Sequence, residues 1–430
     1  MAEMPREYYR RLVDLAMEAG QIMMSAGAET HRVEDTIMRL LSTSEFSHTD
    51  AFVLRTGITI TLSDPRYKTI SITRRVYSGP PHLSKVSDVN KVSRDFCAGL
   101  ITIEQAEMQM KEAAGKMLYS PVTVFLCHMF ATSGFAYVFG GGFLEAFLAL
   151  FVGIVLGFHN VYIAKHIKKS FLADLLGASI VVITSVGLTY FLGEMGIPAE
   201  CQYIIAGSLM PLVPGTAFTL AVRDILAGDY VSGTARIMEA LIVACSVALG
   251  VAFGFVVTDF LGFELAVEFT LAGIHAMNEH AMFAVVATFV GILGFCSVFS
   301  CPYKFIAICC SEAALCWAVY LICVKFGLSS VWASFFGAAF VDLSSQILAR
   351  RLKAPVIIFL VIGVLPLVPG YGIYKVAYDL FSGGDVTASL TNALMLAGAV
   401  ALAVIVMDTV VDLAVRIYRR YKNGTLFEIR

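Results

Sequence analysis

The chain has 430 residues, 58% of them hydrophobic and 15% charged, with a mean hydropathy of +0.78. Those proportions exclude an ordinary soluble globular protein. The net charge of −2 carries little, because in a membrane protein the placement of basic residues matters more than their sum, and no nucleic-acid partner is expected.

The first 117 residues are the polar part of the chain. Residues 1–20 are charged and amphipathic, with no apolar core and no small-residue cleavage site, so they do not read as a secretory signal. Leu12, Leu15, Ala16, Ala19, Ile22 and Met23 have the apolar spacing of a helix over 6–26. Ser25–Ala28 breaks that pattern, and a second helix is expected over 29–41. Two strand-like runs follow, 51–62 and 69–77, divided by a turn at Ser63-Asp64-Pro65. Helices near 83–97 and 102–116 complete a small α+β cytosolic domain, residues 1–117. Glu29, Thr30, His31, Arg32, Glu34 and Asp35 crowd the start of the second helix. Acidic groups stabilise a helix amino end, so this cluster reads as capping and exposed charge. No nucleophile–base pair, phosphate loop or metal-ligand spacing is present, and no enzyme activity, cofactor or metal is expected.

From Ser120 to Ile417 nearly everything is apolar. A span needs about 20 residues to cross a core of about 30 Å. Ten windows qualify: 120–139, 143–163, 171–192, 202–222, 236–258, 281–299, 305–323, 329–348, 355–377 and 389–416. With a cytosolic amino terminus, the inner links and tail carry Lys165, Lys168, Lys169, Arg223, Arg236, Lys304, Arg350, Arg351, Lys353, Arg416, Arg419, Arg420 and Lys422. The outer links carry essentially Lys325 alone. That asymmetry fits both termini in the cytosol. The ten cysteines show no CxxC pair and fall mostly in apolar stretches, as buried free thiols do.

Pro-Leu-Val-Pro-Gly occurs twice, at Pro211–Gly215 and Pro366–Gly370, 155 residues apart. Two prolines three apart plus a glycine end a helix, and in lipid such a break is tolerated only where protein or a wet cavity satisfies the backbone. A second echo, G-F-x-x-V-F, recurs at Gly134–Phe139 and Gly294–Phe299, and Asp224 and Asp379 each lie nine residues past a motif glycine. The membrane half therefore reads as two five-helix repeats, 118–262 and 263–430. Five is odd, so the second copy enters from the opposite side, an inverted repeat with one discontinuous helix in each half.

Carbonyl ends of half-helices favour cations and amino ends favour anions. Pro211, Pro214, Gly215, Thr216, Pro366, Pro369, Gly370 and Tyr371 are the candidate substrate-binding residues, suited to a zwitterion or to a small carboxylate with H⁺ or Na⁺. Plain kinking is the alternative. Ionisable groups at membrane depth are the next candidates. Glu312, Asp342 and His128 would relay protons or balance charge, or else serve as structural polar groups facing the bundle interior. Asp174, Glu239, Asp408 and Asp412 fall nearer the expected interfaces and read as structural.

The run Gly27-Ala28-Glu29-Thr30, followed by Arg32-Val33-Glu34 and the paired proline motifs, resembles the bacterial threonine/serine exporter family over nearly the whole chain. The resemblance implies a cytosolic amino-terminal domain, ten membrane helices and secondary export from the bacterial cytoplasmic (inner) membrane, driven by the proton gradient, as an antiporter. Split relatives linked to succinate export divide near residues 260–280, so succinate is an alternative substrate to threonine or serine. The partners expected are a small-molecule substrate and the lipid bilayer, with a homo-oligomer compatible. A ligand-gated channel or membrane sensor, and a membrane-anchored hydrolase using the polar cluster, are the readings of other classes.

Overall fold

The computed structural model describes residues 6–44, 46–64, 67–77, 79–226, 228–263, 281–368 and 370–422. Their contacts divide into two units. One contains the residues up to Ser120 with Val298–Phe305 and Leu352–Ile358. The other contains Pro121–Ser297, Ile306–Arg351 and the residues from Phe359 on.

In the first unit the apolar periodicity of the amino terminus becomes α1 (Arg6–Ser25), followed by α2 (Thr30–Leu41). Their apolar stripes meet the sheet closely: a Cβ added at Gly20 would lie 2.7 Å from Ile37 and 2.9 Å from Ile58. The sheet has three antiparallel strands in the order β1 (His48–Leu54), β2 (Gly57–Asp64), β3 (Tyr67–Arg75). The expected single strand over 51–62 is thus two, folded back at Arg55-Thr56 with Leu54 opposite Gly57. Neither turn residue is a strong turn former, and the β-branched run on both sides hides a two-residue hairpin. Along β2, Ile58, Ile60 and Leu62 are buried in alternation.

Two further helices, α3 (Leu83–Cys97) and α4 (Ile103–Gly115), follow as expected. A reciprocal cap starts α4: Gln105 N–H donates to Thr102 Oγ1, and Thr102 N–H to Gln105 Oε1. The first N–H groups of α3, at Leu83 and Ser84, donate to the carbonyls of Phe299 and Ser300 at 2.9 and 3.0 Å. That contact explains why a segment so distant in sequence belongs to this unit.

The second unit is helical. Among the described residues eight helices are long and apolar enough to cross a membrane, which makes the chain a polytopic membrane protein. They are α5 (Pro121–Val138), α6 (Phe143–Phe158, extended by an irregular turn to His166), α7 (Ser170–Glu194) and, after the first break, α10 (Tyr230–Phe260), α11 (Ala281–Val298), α12 (Ile306–Lys325), α13 (Ser330–Leu352) and finally α16 (Val386–Lys422). The two other expected spans, 202–222 and 355–377, are each interrupted. One is α8 (Cys201–Leu209) and α9 (Gly215–Leu226). The other is α14 (Val356–Gly363), a 3₁₀ turn at Leu365–Leu367, and α15 (Gly370–Ser382).

Small residues set a close helix crossing. A Cβ at Gly134 of α5 would sit 2.5 Å from Gly291 of α11, and one at Gly294 would sit 2.5 Å from Ala131. Only the missing side chains allow this approach. The contact is reciprocal, since Ala131 and Gly291 share the offset that relates Gly134 to Gly294. Phe135 and Phe295, related in the same way, meet edge to face at 5.3 Å.

Candidate functional site

Each proline motif unwinds its helix, and the two unwound segments lie against each other. A Cβ at Gly215 would come within 3.3 Å of the Gly370 backbone and collide with Val368, while one at Gly370 would lie 3.4 Å from Val213 and 3.0 Å from the Met210 sulfur. Val213 and Val368 are themselves motif equivalents, so this contact is reciprocal too. In the first break Phe218 N–H donating to the Pro214 carbonyl, 3.0 Å, opens α9. The second tightens into its 3₁₀ turn, with Leu367 N–H donating to the Val364 carbonyl at 2.9 Å. Pro211 and Pro214 are half-buried, and Gly215, Pro366 and Gly370 are buried. Pro369 and the side chains of Thr216 and Tyr371 lie outside the described residues.

A cavity of about 370 Å³ opens beside the second break. Its wall takes residues from both sides of the interruption, Pro366–Val368 upstream and Gly372 in the first turn of α15 downstream. The rest is a mixed surface: Lys375, Ser330, Ser334, Ser389 and Asn392 supply polar groups, and Phe139, Trp317 and Tyr320 supply rings. The two indole and phenol rings stack at 4.6 Å. Trp317 is buried, and its indole N–H has no hydrogen-bond partner among the described residues. An orphaned buried donor costs about 1–3 kcal/mol.

The equivalent aspartates close the downstream halves differently. Asp224 pairs with Arg236 of α10 at 3.0 Å, both side chains buried. Asp379 pairs with Lys375 one turn earlier on α15 and accepts a hydrogen bond from Ser389 of α16. Lys375 and Asn392 escaped the sequence reading. The usable signal was a lysine and an aspartate at i, i+4 inside an apolar segment, a spacing at which each shields the other's charge.

Glu312 is 3% exposed on α12. Its Oε1 accepts from Ser344 and Ser345 of α13, while Oε2 has no hydrogen-bond partner among the described residues. It packs on the upstream half-helix of the second break: a Cβ at Gly363 would lie 3.4 Å from its carboxyl carbon. Asp342, fully buried, accepts from Gln346 Nε2 at 2.8 Å, and the same amide donates to Asp408 of α16 at 2.8 Å. Asp408 therefore joins Asp342, although its position near the expected interface suggested no such link. His128 is buried on α5, where Nδ1 lies 2.8 Å from the Val124 carbonyl and Nε2 lies 3.2 Å from the Asn160 amide. One neutral tautomer satisfies both contacts. In the first unit, Glu29 occupies the N-cap position of α2 but makes no capping bond through its side chain. It is 1% exposed and accepts from Arg32 Nε at 2.9 Å, so the expected cap is an internal ion pair. Thr30 is buried, and Glu34 accepts from Val53 N–H at 3.1 Å, tying α2 to β1.

Two interrupted helices meeting glycine on glycine, beside a cavity with polar and aromatic walls, define a membrane protein built around a central break rather than a simple anchor. The chain belongs to the threonine/serine exporter family. Residues 14–258 match the family model described as "Putative threonine/serine exporter", and residues 284–410 match a second, "Threonine/Serine exporter, ThrE". The chain is similar to the "Threonine/serine exporter" of Corynebacterium glutamicum, 23% identical across 91% of this chain and 80% of that protein. It is also similar to the "Probable threonine/serine exporter" of Mycobacterium tuberculosis, 20% identical across 92% and 74%. A "Pheromone-regulated membrane protein 10" of Debaryomyces hansenii is 23% identical across 55% of this chain and 24% of that protein. These bacterial relatives are named as exporters, not enzymes. No solved structure matches.

Proposed function

We propose that this protein is a secondary exporter of threonine or serine in the bacterial cytoplasmic membrane, coupled to the proton gradient, with both termini in the cytosol. The observation that carries the reading is the reciprocal contact of the two breaks beside the cavity. Matched discontinuous helices that meet at a polar cavity are how transporters hold a substrate within the membrane. The paired contacts Gly134 on Gly291 with Gly294 on Ala131, and Gly215 on Val368 with Gly370 on Val213, are what a two-fold relation between halves produces. They support ten membrane segments in a five-plus-five inverted repeat, with a cytosolic domain at residues 1–117.

The substrate lies in the cavity with its carboxylate toward Lys375 and the first turn of α15, and its hydroxyl and ammonium among Ser330, Ser334 and Asn392. A dicarboxylate such as succinate fits less well, because the one lysine on the wall is already balanced by Asp379. Glu312 and Asp342, packed against or near the second break, carry the coupling proton. Proteoliposomes loaded with labelled threonine, serine or succinate test the reading: gradient-driven, saturable efflux of the hydroxy amino acids is expected. No flux of any of the three under an imposed gradient sinks it, and ligand-dependent conductance without saturation turns it into a channel.

A further inference from the structure

The amino-terminal unit has a cavity of its own, about 360 Å³, which the transport reading does not use. One face of α1 supplies Glu18, Gln21, Ile22 and Ser25, residues spaced to lie in one row. The end of β3 and its extension supply Arg75, Val76 and Tyr77, and α3 and α4 supply Lys85 and Ala114. The charges on its wall are not spent on one another. Among the described residues Glu18, half-buried, forms no ion pair and no hydrogen bond. The Arg75 guanidinium lies 5.3 Å from the Tyr77 ring centre and pairs with no carboxylate among the described residues. The Lys85 ammonium donates to the Ala114 carbonyl at 2.6 Å, which leaves two of its hydrogens and all of its charge unmatched.

We infer that this cavity is a binding site for a small zwitterion of the α-amino-acid type, with Glu18 taking the ammonium and Arg75 and Lys85 the carboxylate. The lining holds one acidic and two basic groups, each from a different element, the complement of a ligand that carries both charges. A half-buried carboxylate left without a partner is costly, and a bound ammonium removes that cost. Half-burial pushes the Glu18 carboxyl above the ordinary range, with Lys111 opposing, as expected of a group awaiting a cation. Gln21, whose side-chain amide donates to the Arg75 carbonyl at 3.3 Å, joins α1 to β3 across the cavity, so occupancy would be felt by both. Such a site would let the protein sense an amino acid of the kind it is proposed to move.

Hydrogen exchange of the full-length protein in nanodiscs, with and without L-threonine, L-serine or L-alanine, tests this. Slower exchange is expected in peptides covering Glu18–Ser25 and Arg75–Lys85. Succinate and putrescine, each carrying one kind of charge, should leave those peptides unchanged. Glu18→Gln and Arg75→Gln should each weaken the protection at least tenfold while exchange in α2 stays native, which separates loss of the site from loss of fold. Gradient-driven flux should persist in both variants, so this test and the transport test fail independently. Absence of protection by all three zwitterions, equal protection by succinate, or protection that survives Glu18→Gln overturns the proposal.

Discussion

The two proline motifs are identical in sequence, yet their surroundings differ. Past the first break, Asp224 is matched by Arg236 from the following helix, and that pair is sealed from solvent. Past the second, Asp379 is matched by Lys375 within the same helix, and that lysine lines a cavity. The first break has a cross-helix clamp and the second an ion pair within one helix, whose lysine is part of a cavity wall. The two breaks thus share a backbone device and differ in how the charge beyond it is matched and in whether a cavity lies beside it.

The largest effect should come from breaking the clamp. Asp224→Asn removes one member of a buried ion pair and is expected to destabilise the protein by about 3–5 kcal/mol. Thermal unfolding in detergent measures it, and the double variant Asp224→Asn with Arg236→Met should regain most of the loss. If Asp224→Asn unfolds like the wild type, the clamp reading is wrong. Lys375→Gln keeps a hydrogen-bond donor near Asp379, which Ser389 also supplies, so it should cost less stability than Asp224→Asn while lowering substrate flux roughly ten- to a hundredfold, the cost of one charge-assisted hydrogen bond. Wild-type flux in that variant would remove the cavity from the transport path. The smallest effect belongs to the buried acids. Glu312→Gln and Asp342→Asn should each flatten the dependence of flux on the imposed pH gradient with little change in unfolding temperature, and unchanged pH dependence in both would leave the coupling proton elsewhere.

Both breaks and the apolar spans were legible in the sequence because they are local or periodic. The helix boundaries of the amino-terminal unit, the ten apolar windows and the positions of both interruptions follow from apolar spacing and from proline chemistry. The hairpin at Arg55-Thr56 was hidden because a two-residue turn without glycine or asparagine at its centre leaves no mark in a β-branched run. Lys375 was passed over because a charge pair one helical turn apart looks self-contained. Asp408 looked interfacial because depth was counted along the chain, and only the Gln346 amide, reaching both carboxylates, reveals its link to Asp342.

The sequence by itself determined that the chain is a membrane protein, where its helices run and where two of them must break, since hydrophobic length and the missing proline N–H groups act within a few turns of chain. Tertiary structure decided which broken ends meet, which charges pair and where space remains. Those outcomes depend on close packing between residues about 155 positions apart, with Gly215 against Gly370, and no local pattern encodes the shape left between them.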